Sequence, residues 1–214
     1  MARAEPVYLE LGRRRVFAAA VRWPGWCRSG QTEEEALDGL SEYQSRYAPV
    51  AERAGLRIPA RPGSWDVIER VKGSATTDFG APGSVPDLDR QPVTAAEARR
   101  LAALVKAAWA ELAAVAAASP ASLRKGPRGG GRDRDKMVAH VENAEAAYAR
   151  KLGTGVTAAD IRQHGIAFVR AGIEEVLAGA RQPPDDPRRW PAPYGARRVA
   201  WHALDHAWEM QDRS

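Results

Sequence analysis

The hydrophobic positions of the first third of the chain fall in short runs and predict a small α+β unit. Residues 7–11 and 15–21 are two such runs on either side of Gly12, which predicts a β-hairpin. Thr32 followed by Glu35 predicts a capping box and a helix that continues toward residue 54. Residues 65–71 supply a further strand after the prolines at 59 and 62. The predicted order is β-β-α-β, a small sheet with one helix packed against it.

Apolar residues recur at helical spacing in four segments of the remaining chain. Asp133 and Thr157 stand at positions typical of helix N-caps, and Gly153 follows the second helix as a C-terminal stop. The predicted helices span residues 94–118, 133–152, 157–179 and 194–213. Four amphipathic helices joined by loops predict an all-α four-helix bundle.

The segment between the two regions, residues 74–93, is rich in glycine and proline and has no periodic apolar pattern. Such a composition is typical of a linker. We therefore predict two domains, an α+β module at residues 1–73 and a helical bundle at residues 94–214, joined by residues 74–93.

Composition narrows the functional classes. Hydrophobic residues make up 44% and charged residues 28% of the 214 residues, which excludes global disorder. The net charge of +5 comes from dispersed arginines without a nucleic-acid-binding motif, so no nucleic-acid partner is predicted. The basic, glycine-rich loop at 126–131 lacks the Gly-Lys-Ser/Thr ending of a P-loop and is predicted to be flexible.

Compartment and membrane association are also constrained by the sequence. Cys27 is the single cysteine, so an intramolecular disulfide is excluded and a reducing compartment is favoured. No signal peptide opens the chain, and no apolar run approaches the roughly 18 residues of a spanning helix. The expectation is a cytoplasmic protein with no membrane partner.

Histidines supply the candidate chemistry. His202 and His206 are four residues apart, which places both rings on one helical face with Cβ atoms about 5–6 Å apart. His140 lies on the apolar face of the helix at 133–152, which must point toward the last helix. Three imidazoles and an open position are typical of catalytic zinc, and nickel or ferrous iron accept the same ligands. The alternative is that these histidines are ordinary residues at the edge of a core, with His164 exposed to solvent.

Charged residues beside the pair extend this hypothesis. Asp205 and Glu209 are placed to accept a hydrogen bond from a ligating imidazole, which fixes its tautomer. The alternative is that they pair with Arg198 or Arg213 at helical spacing. Arg197 and Arg198, one turn before His202, are candidates for binding the carboxylates of a substrate or cofactor.

A short motif near the N-terminus resembles the HicB-like family. The segment PGWCRSGQTEEEAL carries a Pro-Gly turn, a glycine two residues before threonine, and then Glu-Glu-Ala-Leu. The matching positions are Pro24, Gly25, Gly30, Thr32, Glu34, Glu35, Ala36 and Leu37. The resemblance covers about the first 70 residues and implies a module that binds a protein partner, as in antitoxin components. The alternative is that the turn and capping box are an ordinary way to enter a helix.

The helical half resembles the DinB-like superfamily (DinB/YfiT), which includes the mycothiol-dependent maleylpyruvate isomerase type. The segments MVAHVENAEAAYARKLG and RRVAWHALDHAWEMQDR carry one histidine on the second helix and an H-x-x-x-H pair on the fourth. The resemblance covers roughly residues 90–214 and implies that His140, His202 and His206 are the metal ligands.

This second resemblance also carries functional expectations. It implies a bacterial thiol-dependent transferase or isomerase with a small-molecule substrate and a low-molecular-weight thiol of the mycothiol or bacillithiol type. Relatives of this kind are often homodimers. The alternative from a different class is a non-enzymatic binding or regulatory protein that uses the HicB-like module to hold its partner.

Overall fold

The computed structural model describes residues 4–58, 64–126 and 131–214. The prolines at 59 and 62 and most of the predicted loop at 126–131 lie outside the described residues. The strands are β1 (Glu5–Leu11), β2 (Val16–Ala20), β3 (Cys27–Gly30) and β4 (Trp65–Lys72). The helices are α1 (Glu33–Glu42), α2 (Gln44–Arg53), α3 (Ala75–Phe79), α4 (Ala95–Ala118), α5 (Arg134–Leu152), α6 (Ala158–Leu177) and α7 (Ala192–Arg213). A four-stranded sheet is thus followed by a mostly helical region.

The sheet has the strand order β3-β2-β1-β4. The predicted hairpin of β1 and β2 and the later strand β4 are confirmed, and β4 pairs with β1 in parallel. The prediction missed β3, which pairs antiparallel with β2. Its sequence, Cys-Arg-Ser-Gly, is short and lacks the alternation that marks a strand. The order of the α+β region is therefore β-β-β-α-α-β up to β4.

The single helix predicted from Thr32 is two helices. Thr32 caps α1 by accepting a hydrogen bond from the Glu35 backbone N–H at 3.1 Å. The Glu35 carboxylate accepts from the Gln31 N–H at 2.6 Å, one residue before the N-cap, so the predicted capping box is not formed as such. The helix stops at Tyr43, which has φ −87° and ψ 2°. Pro49 then lies inside α2, where it cannot donate the hydrogen bond of a regular helix turn.

Both faces of the sheet are covered. One face packs against α1 and α2 in the main core and carries Val7, Leu9, Val16, Ala18 and Ala20. The opposite face carries Tyr8, Phe17, Ala19 and Cys27, which pack against Trp201 of α7. The Phe17 and Trp201 rings meet edge to face, with centroids 6.1 Å apart. Since both faces are covered, β2 is buried along its whole length.

The turn between β2 and β3 also rests on α7. Gly25 has a φ of 90°, a conformation that side chains other than glycine rarely adopt. A Cβ atom at this position would lie 2.7 Å from the Leu204 side chain and 3.0 Å from that of Ala200. Glycine therefore permits the close approach of the turn to the helix that carries the histidine pair.

The predicted linker is attached to both halves of the molecule. It contains α3 and a 3-10 turn at Asp87–Arg90. The buried Glu10 carboxylate of β1 accepts hydrogen bonds from the Gly83 N–H at 2.9 and 3.0 Å. Asp89 forms a buried ion pair with Arg197 of α7. The domain boundaries at residues 73 and 94 remain a prediction.

Each of the four long helices begins and ends within two residues of the predicted positions. Thr94 and Thr157 cap α4 and α6 through their side chains. Asp133 stands at the N-cap of α5, but its carboxylate accepts from the Leu123 N–H instead of a helix N–H. A kink in α6 was not predicted: Gly165 has φ 69° and ψ −166°. α7 packs along α4 and also contacts α5, which brings the histidine-bearing segments together.

One helix corrects the expectation about apolar runs. Within the described residues, α4 alone has the length and apolar composition of a membrane span. However, 56% of its most apolar 18-residue window is buried inside the protein. A helix in the core of a protein can have the same length and apolar composition. The alanines of α4 belong to the main core, where α4 packs against α7.

Candidate metal centre

Three histidines from two helices converge on one point. α5 presents His140, and α7 presents His202 and His206 from successive turns. One ring nitrogen from each lies within 4.8 Å of the others. The ring centroids are 5.1 Å apart for each pair that includes His140 and 4.8 Å apart for His202 and His206. Among the residues that the structure describes, this is the one group of His, Cys, Asp and Glu side chains placed to hold a metal ion.

The cluster is close to the dimensions of a metal site. Nitrogens bound to one zinc ion at about 2.0–2.1 Å in a tetrahedron lie roughly 3.4 Å apart. The separations here are up to 4.8 Å, about 1.4 Å more than in a bound zinc site. His202 is 7% exposed, whereas His140 and His206 are partly exposed. The point of convergence thus lies between the core and the solvent.

Glu209 orients His206. The Glu209 carboxylate lies 3.0 Å from His206 Nδ1, and its other oxygen accepts a hydrogen bond from Arg213 at 2.8 Å. Arg213 also donates to the Arg124 backbone carbonyl at 2.7 Å, which anchors it. The hydrogen bond with His206 is the main cause that lowers the pKa of Glu209. A carboxylate at Nδ1 leaves the lone pair of His206 on Nε2, the nitrogen available to the cluster.

Asp205, the other predicted orienting residue, lies in a different contact. Its carboxylate forms a salt bridge with Arg28 of β3 at 3.1 Å. Arg28 in turn stacks over the Tyr43 ring, with its guanidinium carbon 3.8 Å from the centroid. Asp205 therefore joins α7 to the sheet. Glu145 of α5 is likewise engaged elsewhere, in a bidentate pair with Arg170.

His202 is the most enclosed of the three rings. It lies between the rings of Tyr148 and Trp201, with centroid distances of 5.8 and 6.0 Å. Burial first, then the nearby His206 and Arg198, lowers the pKa of His202 to about 2. Burial also lowers the pKa of His140, with Arg132 as the next cause. Both rings are therefore neutral at neutral pH, which is the protonation state that a metal ligand needs.

The nitrogen Nδ1 of His202 is buried without a hydrogen-bond partner among the described residues. Buried polar atoms are rarely left in this state, because an unmade hydrogen bond costs about 1–3 kcal/mol. A positive ion that takes the lone pair of this nitrogen would remove the cost. The orphaned atom is thus compatible with the donor set of a metal site.

The two predicted arginines have different environments. Arg197 is buried, and its guanidinium donates to both oxygens of Asp89 and to the Val21 carbonyl. These contacts hold the 3-10 turn and the residue after β2 against α7, so Arg197 is not free to bind a ligand. Arg198 instead lies over the Trp201 and Tyr148 rings that flank His202.

Other candidates lie apart from the cluster. His164 is exposed on α6, as the sequence predicted. The centroids of its ring and the Phe168 ring are 5.1 Å apart. The Cys27 thiol is buried, and burial raises its pKa, so it is not a reactive nucleophile.

Sequence reasoning missed Tyr148 and Trp190. Tyr148 lies eight residues after His140 on α5, which places it about 80° away around the helix, so helical spacing alone did not indicate it. Trp190 precedes α7 and contacts the Tyr148 ring at 5.2 Å, a contact that no sequence spacing indicates.

Comparisons of the chain with protein-family models, with curated proteins and with solved structures found no match. The geometry of the three histidines and their surroundings therefore carries the functional argument.

Proposed function

We propose that this protein binds one divalent metal ion through His140, His202 and His206, within a DinB-like four-helix bundle formed by α4 to α7. The observation that carries the proposal is the convergence of three imidazole nitrogens within 4.8 Å. The buried Nδ1 of His202, which has no hydrogen-bond partner among the described residues, is compatible with it. Imidazoles at the edge of a core suit zinc, nickel or ferrous iron.

The order of the ligands along the helices adds further support. One histidine comes from the second long helix and two, one turn apart, from the last, as in the family that the sequence resembles. The four long helices pack against one another through the main core. The HicB-like resemblance of residues 24–37 remains a prediction and carries no part of this proposal.

From the DinB-like resemblance of the helical half, we propose a thiol-dependent transfer or isomerisation of a small molecule as the reaction. A divalent metal supplies Lewis-acid chemistry, which lowers the pKa of a coordinated thiol or water. His202 and His140 hold their lone pairs available, and Glu209 fixes the tautomer of His206. Tyr148 and Trp201 exclude water from one side of His202.

Elemental analysis tests the proposal. Protein purified without added metal, or reconstituted and desalted, should contain about one zinc, nickel or iron per chain. The metal-loaded protein is then screened for transfer or isomerisation with mycothiol, bacillithiol or glutathione and without thiol. Protein that binds no metal under either condition would contradict the proposal and favour the non-enzymatic alternative. Metal-dependent activity without thiol would contradict the thiol requirement and leave the metal centre in place.

Replacing Glu209 by glutamine is expected to weaken zinc binding by about 10–100-fold, because carboxylates that orient a ligating imidazole contribute about this much to metal affinity. The change keeps the side chain's size but removes the charge that His206 and Arg213 share. Competition with a chromogenic zinc chelator measures the affinity.

Asp205→Asn is the matched control for this variant. Asp205 is adjacent to His206 in sequence, but its carboxylate pairs with Arg28. Its zinc affinity should stay close to that of the wild type. Equal losses in the two variants would indicate a general effect of charge and would remove the orienting role from Glu209.

A further inference from the structure

Arg213, the last residue of α7, makes three hydrogen bonds through its side chain. Its Nε atom donates to the Arg124 carbonyl at 2.7 Å, and its Nη1 atom donates to the Arg132 carbonyl at 2.9 Å and to the Glu209 carboxylate at 2.8 Å. The Arg213 side chain is 9% exposed. Because the guanidinium is planar and two of its acceptors are backbone atoms of the connection between α4 and α5, its position is closely fixed.

Gly131 lies directly against this guanidinium. It has a φ of 124°, a conformation that other residues rarely adopt. A Cβ atom at this position would lie 2.6 Å from both Cζ and Nη2 of Arg213. Such a contact is too short for two atoms that are not bonded, so any side chain at position 131 would displace the guanidinium or the backbone. Glycine therefore allows the connection between α4 and α5 to hold Arg213 in place.

Glu209 depends on Arg213 for its orientation. The Glu209 side chain is 37% exposed, whereas its arginine partner is buried. A carboxylate that is partly open to water gains little from one hydrogen bond and can turn toward the solvent. One oxygen of Glu209 lies 3.0 Å from His206 Nδ1, and Arg213 holds the other oxygen from its fixed position. The arginine therefore keeps the carboxylate turned toward His206.

We propose that Arg213 is a positioning residue of the metal centre, which acts through Glu209 to keep His206 in the tautomer that leaves Nε2 free for the metal. Groups that orient a ligating imidazole contribute to metal affinity although they do not touch the ion. The backbone of the connection between α4 and α5 thereby helps to set the affinity of a site to which it supplies no ligand. This inference rests on the proposed metal centre, because it names what regulates the affinity of that centre.

A double-mutant cycle in zinc affinity, measured on the full chain by chelator competition, tests the inference. Arg213→Met removes the donors but keeps an apolar stem, and it should weaken zinc binding about 10-fold and by no more than Glu209→Gln does. The double variant should bind zinc like Glu209→Gln alone, within about 2-fold, because the arginine then has no carboxylate to orient. Arg213→Lys keeps the charge without the planar fork and should retain part of the affinity.

Arg46→Met is the matched control. Arg46 also fixes the last turns of α7, but its partners there are the Trp208 carbonyl, Gln211 and Asp212. Its replacement should leave zinc affinity close to that of the wild type. An equal loss in Arg46→Met, or losses that add in the double variant, would assign Arg213 a general structural role and overturn the inference. Wild-type zinc affinity in Arg213→Met would overturn it as well.

Gly131→Ala tests the contact from the side of the backbone. The added methyl group should displace the guanidinium and weaken zinc binding in the same direction as Arg213→Met. Gly55→Ala is the control for backbone strain, because Gly55 also has a positive φ, of 71°, and a Cβ atom there meets no described residue within 4 Å. It should keep the wild-type zinc affinity. An unchanged zinc affinity in Gly131→Ala would overturn the contribution of the connection.

The tautomer of His206 separates this inference from the proposed function. In metal-free protein at alkaline pH, long-range proton–nitrogen NMR spectra of the imidazole should show the Nδ1–H form in the wild type and a mixture of both tautomers in Arg213→Met. Identical spectra in the two proteins would overturn the inference and leave the metal centre in place. A tautomer that depends on Arg213 in protein unable to bind metal would support the positioning role and contradict the metal centre alone.

Discussion

Replacing His202 by alanine is expected to remove stoichiometric metal from the purified protein. A three-imidazole site that loses one ligand retains two, and the buried ring that is removed is the one whose Nδ1 has no other partner among the described residues. We expect the metal content to fall from about one per chain to a small fraction, with zinc affinity lowered by at least about 100-fold. Elemental analysis and chelator competition measure both quantities.

Two further variants distinguish the loss of a metal ligand from a loss of folding. His202 is 7% exposed, so its removal leaves a cavity that itself lowers stability. His140→Ala changes a partly exposed ring on the other helix and should abolish metal binding with a smaller effect on the thermal midpoint. His164→Ala removes an exposed histidine outside the cluster and should keep full metal content. Retention of metal in folded His202→Ala and His140→Ala proteins would exclude the three-histidine centre.

Replacing Asp89 by alanine is expected to lower the free energy of unfolding by about 3–5 kcal/mol, because it leaves a buried guanidinium without its counter-charge. The Asp89 side chain is 0% exposed and that of Arg197 is 8% exposed. The pair connects the 3-10 turn to α7, so its removal should also destabilise the helix that carries His202 and His206. Urea denaturation followed by circular dichroism measures the change.

The double replacement Asp89→Leu with Arg197→Met is the decisive comparison. Removing both charges should restore most of the lost stability, since apolar residues of similar size replace buried ion pairs with little cost. Arg70→Ala breaks a solvent-exposed pair with Glu33 and should change stability by less than about 1 kcal/mol. A loss for Asp89→Ala no larger than that for Arg70→Ala would contradict a structural role for the buried pair.

The convergence of the histidines was predictable from the sequence to a large extent. Helical spacing places His202 and His206 on one face, and the apolar neighbours of His140 direct its face inward. Spacing could not show whether Asp205 or Glu209 accepts the hydrogen bond from a histidine, because both lie close to His202 and His206 on the same helix. The choice depends on Arg28, which arrives from β3 and engages Asp205.

Arg197 and Arg198 illustrate the same limit. They are adjacent in sequence and appear equivalent, yet a helix turns by about 100° between them. Arg197 consequently faces the sheet and the acid at Asp89, whereas Arg198 faces the rings beside His202. Which of two neighbouring arginines finds a carboxylate is decided by tertiary contacts that no local pattern records.

In the fold, too, the elements specified by local sequence were predicted, and those that depend on tertiary contacts were not. Long periodic helices and the hairpin were predicted because their own residues specify them. Strand β3 was missed because its pairing with β2 stabilises a polar sequence that has no strand pattern of its own. The kink at Gly165 left no clear signal, since one glycine in a helical pattern is compatible with a continuous helix.

X-ray absorption spectroscopy on the protein loaded with one equivalent of zinc identifies the ligands of the metal. We expect three imidazole nitrogens and one further light-atom ligand at about 2.0–2.1 Å, and loss of one imidazole in His140→Ala. Zinc bound without imidazole ligands, or an identical spectrum in His140→Ala, would contradict the three-histidine centre.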